Sequence, residues 1–69
     1  MNRVHYDVTG IQNNQMKTQL KNVLERVEGV QKVDINLANS TIDVGYNKKT
    51  DEKSIRDCIE HIGGKIENL

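Results

Sequence analysis

The chain has 69 residues, with ten basic and ten acidic side chains spread without blocks and a formal net charge of zero. That balance excludes the basic footprint of a nucleic-acid binder, and no apolar run approaches the roughly 18 residues that suggest a membrane span. With no Pro, Phe or Trp and only two Tyr, the core has to be aliphatic, which suits a small mixed fold better than an aromatic-rich binding platform.

A chain this short implies a single domain, residues 1–69, burying only about 60% of the surface its unfolded form exposes. The opening MNRVHYDVTG lacks the apolar core of a signal peptide, so a cytoplasmic location is expected. The single cysteine, Cys58, excludes an internal disulfide and any metal site built on two cysteines of one chain.

Alternation opens the chain. Val4, Tyr6 and Val8 point one way and Arg3, His5 and Asp7 the other, the period-two pattern of a half-buried strand. The turn formers TGIQNN follow, and the period then changes. Met16, Leu20, Val23, Leu24 and Val27 make one stripe on a helix expected from about Asn14 to Glu28. Asn13 is placed to cap its start and Gly29 to end it in a left-handed turn.

Period two returns in VQKVDINL, with Val33, Ile35 and Leu37 on one face, and again in TIDVGYN through Ile42, Val44 and Tyr46. Only ANS separates these runs, so they form a hairpin. A second helix is expected from about Asp51 to Ile62, capped by Thr50 or Asp51, with Ile55, Cys58, Ile59 and Ile62 as its inner stripe and Gly63 and Gly64 at its end. A last short strand falls around Ile66.

The order strand, helix, strand, strand, helix, strand, with right-handed crossovers, predicts an α+β ferredoxin-like βαββαβ sandwich: a four-stranded antiparallel sheet with two helices on one face. The open face then carries Arg3, His5, Asp7, Lys32, Asp34, Asn36, Thr41 and Asp43, all polar as a solvated sheet face should be.

With the elements placed, the chain from about Val4 to Ile66 resembles the heavy-metal-associated domain family, which includes the small copper chaperones and the cytosolic modules of copper-transporting P-type ATPases. The matching pieces are the valine-rich first strand ending in Gly10, LERVEGVQKVDINL, STIDVGYN and IRDCIEHIGGKI, spaced in register over the whole length. The family's first loop reads Gly-Met-x-Cys-x-x-Cys, and its two thiolates bind one Cu(I) or a similar soft ion. On this chain Gly10 is the glycine, Ile11 takes the methionine's place, and the cysteine positions hold Asn13 and Met16. Gly64 stands where family members commonly carry a Tyr, Lys or His that approaches the metal.

Such sites depend on deprotonated sulfur at a helix N-terminus. An Asn amide oxygen is a hard, weak donor for a soft ion, and one thioether cannot hold it against cellular thiols. The resemblance therefore implies a protein-interaction or regulatory module in metal handling with no resident cofactor, holding Cu(I) only weakly if at all. The alternative is a weak carrier using Met16 and ligands from a second chain. Candidate binding residues are Gly10, Ile11, Gln12, Asn13, Asn14, Lys17 and Lys21, with Arg26 adding to a weakly basic docking face. The implied partner is a metal-transporting ATPase or chaperone domain, met by a monomer.

Asn13 also reads simply as a helix cap, and Met16 as the first core residue of its helix, four before Leu20. Cys58 is expected to be buried and inert, and His5 and His61 to be solvated. The outward sheet positions lack the stacking aromatics of an RNA-recognition domain. GIQNNQM has no arginine for acylphosphatase-like chemistry and no nucleophile and base pair can be assembled, so no enzyme is expected.

Overall fold

The computed structural model describes residues 2–67. Its elements are β1 (Asn2–Thr9), α1 (Asn14–Glu25), β2 (Val30–Asn36), β3 (Thr41–Tyr46), α2 (Glu52–Ile62) and β4 (Lys65–Ile66). The strands form one sheet in the order β2-β3-β1-β4 with every pairing antiparallel, and the ferredoxin-like arrangement is the one the periodicity predicts.

The inward residues of the strands, Tyr6, Val8, Val33, Ile42, Val44 and Ile66, meet Leu20 and Leu24 of α1 and Ile55 and Ile59 of α2 in a single cluster. The four helix residues have no exposed surface at all. Each such side chain contributes about 1.5–3 kcal/mol relative to an exposed position. Tyr6 is the one aromatic in this cluster. Its hydroxyl donates to Glu52 Oε1 at 3.2 Å, which satisfies the polar tip and ties β1 to the first turn of α2. Burial and the neighbouring Glu52 carboxylate together push its phenol above the ordinary range.

Local chemistry accounts for the ends of the helices. Asn13 and Asp51, both in extended conformation, accept the N–H groups of Met16 and Ser54. The hydrogen bond from Ser54 also holds the Asp51 carboxyl below its ordinary pKa. Gly63 closes α2 in the left-handed region, with φ at 113°.

The structure differs from the expected boundaries in specific places. Helix α1 stops at Glu25 rather than Glu28, because Arg26 N–H reaches both Asn22 and Val23 carbonyls and the turn tightens there. Gly29 is left-handed, but its role is close approach: a Cβ on it would lie 2.8 Å from the Thr50 nitrogen. Gln31 forms a bulge between Val30 and Lys32. Leu37 belongs to the turn, since β2 ends at Asn36. Cys58 is half-buried rather than fully buried, because Ile55 and Ile59 occupy the centre of the stripe and position 58 falls at its edge.

Replacing Ile59 with Ala removes a fully buried side chain and should cost about 2–5 kcal/mol. Urea unfolding of parent and variant checks this, and the loss should be a large share of a small domain's total stability.

Candidate functional site

One end of the molecule gathers the loop after β1, the C-terminal turn of α2 and the β2–β3 hairpin. Gly10 sits at φ 94°, and a Cβ on it would lie 2.6 Å from the Gly63 carbonyl oxygen, so only glycine lets these two loops touch. Val8 N–H donates to the Ser40 carbonyl at 2.8 Å, which brings the hairpin turn alongside. Ile11 is half-buried against the core while Gln12 and Asn14 are exposed.

The two positions that carry the chemical question are both engaged in the fold. Asn13 Oδ1 accepts the Met16 N–H at 2.9 Å, and the Asn13 carbonyl accepts the Lys17 N–H at 3.1 Å. Met16 is half-buried, its methyl group 4.0 Å from where a Cβ on Gly63 would stand. At Gly64 a Cβ would meet Ile59 Cγ2 at 2.9 Å and Val8 Cγ1 at 3.0 Å, so the core already fills the space a side chain there needs. Lys17 is half-buried and Lys21 exposed, both along α1 rather than in the loop. Among the described residues no group of three or more His, Cys, Asp or Glu is placed to hold a metal ion.

On the open sheet face His5 is exposed, as expected, and it is also paired. Its Nδ1 lies 2.7 Å from Asp43 Oδ1 and its Nε2 lies 3.5 Å from Asp7 Oδ1. Register is the cause: His5 is directly opposite Asp43 on β3, which is itself directly opposite Asp34 on β2. Alternation alone places His5 and Asp7 on one face, but the cross-strand partner depends on how the hairpin aligns with β1. His61, by contrast, is exposed on α2 as expected.

By sequence, the chain matches no family model and no curated protein. Solved structures are much closer. The CopZ metallochaperone superposes with a TM-score of 0.91 at 25% identity, covering 96% of this chain and all of that one. A copper binding domain from HMA7, a P-type ATPase, gives 0.90 at 27% identity over 100% of this chain and 95% of that chain. The yeast copper transporter domain Ccc2a gives 0.91 at 28% over 100% and 96%. The class these define is a ferredoxin-like domain, with the fold of the metallochaperones and copper-binding domains it superposes on. Within that class the chain is similar to copper chaperones and to metal-binding modules of P-type ATPases, with Asn13 and Met16 where their loops are expected to carry cysteines.

The hydrogen bond and charge of Asp43, with a smaller contribution from Asp7, raise the His5 pKa above its ordinary 6.5. Because the folded value is the higher one, the contribution to stability is complete below pH 6.5 and is lost as pH rises through the folded pKa. Imidazole NMR titration should place the His5 pKa above 6.5, and Asp43→Asn should lower it.

Proposed function

We propose that this chain is a cytosolic protein-interaction or regulatory module in metal handling, a single monomeric domain that keeps the copper-chaperone fold but does not hold Cu(I) in its first loop. One observation carries this reading: the cysteine positions are filled by residues already committed to the fold. Asn13 spends its side-chain oxygen on the Met16 N–H, and Met16 packs beside Gly63 as a neutral thioether. A soft monovalent ion is held by several thiolate or thioether sulfurs, and the loop offers one thioether and no thiolate. The filled space at Gly64 supports the same conclusion, since a side chain could approach the loop from there only if Val8 and Ile59 moved.

The docking end survives this loss. Gly10, Ile11, Gln12, Asn13 and Asn14 retain the strand-to-helix turn, and Lys17 and Lys21 line the adjoining helix. This surface suits a metal-transporting ATPase module or chaperone domain with acidic residues at its rim. Charge complementarity there would govern association rate and specificity more than affinity.

An alternative reading, a weak carrier completed by ligands from a second chain, draws on Met16 being only half-buried. It requires dimerisation on Cu(I) addition, which sedimentation detects.

The deciding experiment is an anaerobic Cu(I) titration against a coloured chelator. The parent should leave copper with the chelator, and the double variant Asn13→Cys with Met16→Cys should take it up stoichiometrically, with Cys58→Ser as control. Losing the Asn cap should cost that variant about 1 kcal/mol, which thermal unfolding checks. Copper uptake by the parent, or a folded double variant that binds no better, would overturn the proposal.

A further inference from the structure

The geometry points to the open sheet face as a weak, self-complementary contact between two copies of this chain, in which Asp43 of each copy enters the gap above Gly45 of the other. The contact uses neither the first loop nor a metal, so it goes beyond the reading above and does not depend on it.

Two adjacent rows carry the pattern. Register places Arg3, Gly45 and Lys32 side by side on β1, β3 and β2, and His5, Asp43 and Asp34 in the row beside them. The first row therefore has a cation at each end and no side chain between. Gly45 is outside the left-handed region, and the neighbouring bulge is on β2 while the β1–β3 register runs without a shift. Glycine weakens the middle of a strand, yet here it floors a cleft of about 330 Å³ between Arg3 and Lys32. In the second row Asp43 and Asp34 stand directly opposite each other, like charges that disfavour the pairing on their own. His5 offsets Asp43 and Lys32 offsets Asp34, but both carboxylates stay more than half exposed and can accept further cations.

A two-fold axis lying along the face, across the strands and midway between the rows, carries each row onto the other and keeps every residue over its own strand. Lys32 of one copy then lies over Asp34 of the other. Asp43 lies over Gly45, between Arg3 and Lys32, and Arg3 comes over β1 beside Asp43. The rows are about 7 Å apart and facing sheets stand about 10 Å apart, which leaves room for one layer of side chains. A side chain at position 45 would occupy the place of Asp43.

Charge permits the approach. Lys17 of α1 lines the neighbouring cleft with His5, Asp34 and Asp43, so Arg3, Lys17 and Lys32 stand against the carboxylates of Asp7, Asp34 and Asp43. The whole chain has no net charge to hold two copies apart. Two rows on three strands make a patch far smaller than the roughly 800 Å² per partner of a stable interface. Pairing is accordingly transient and salt-sensitive, and the chain remains a monomer at micromolar concentration.

The test is amide NMR of the folded protein from micromolar to millimolar concentration, at low salt with a metal chelator present. Concentration-dependent shifts should centre on the outward residues of β1, β2 and β3 and should collapse in about 0.5 M salt. Gly45→Thr should weaken pairing about tenfold or more while raising the thermal midpoint of the monomer. Lys32→Glu and Asp34→Lys, both at exposed positions, should each weaken it alone, and mixing these two variants should restore it, whereas Lys21→Glu should change nothing. No shift up to millimolar chain, shifts centred on the first loop or α1, undiminished pairing by Gly45→Thr, or no rescue in the mixture would overturn the inference.

Discussion

The structure depends on burying one face of a four-stranded sheet under two short helices with an almost wholly aliphatic core. Neither helix is long enough to be stable alone, since isolated helices below about 12–15 residues are marginal in water. What holds them is the fit of Leu20 and Leu24, and of Ile55 and Ile59, against the inward side chains of β1, β2 and β3. That single layer of contacts positions every other feature. It sets α1 so that its capped start adjoins the end of β1, and it sets α2 so that its glycine terminus reaches the same end.

At that end two glycines allow what side chains would forbid. Gly10 lies against the Gly63 carbonyl and Gly64 is packed beneath Val8 and Ile59. The resulting turn has the shape of a ligand loop, and the side chains at its two candidate ligand positions serve the fold. Asn13 serves the helix that follows it, and Met16 serves the contact between α1 and the Gly63 turn. Fold likeness to metallochaperones and ATPase metal-binding domains therefore coexists with a loop whose side chains supply no thiolate. The scaffold that places a ligand and the atoms that bind it are separable properties.

The open face shows the complementary case, in which the chemistry comes from pairing rather than from a loop. Arg3 and Lys32 flank Gly45 in one row, and His5, Asp43 and Asp34 form the next. No stretch of consecutive residues contains that arrangement. It arises because β1 lies beside the β2–β3 hairpin, and it gives the imidazole two carboxylate neighbours at different distances.

The sequence by itself determined the element order, the inward and outward faces of each strand, the cap at Asn13 and the missing thiols of the first loop. Those follow from local periodicity, from capping chemistry and from residue identity, each legible within a few neighbouring positions. Tertiary structure alone decided that Cys58 sits at the edge of its stripe rather than its centre, and that Gly29 is required by the approach of Thr50. It also decided that His5 meets Asp43. The physical reason is common to these: each depends on a distance between segments far apart in the chain, which is set by register and packing and leaves no periodic signal in either segment.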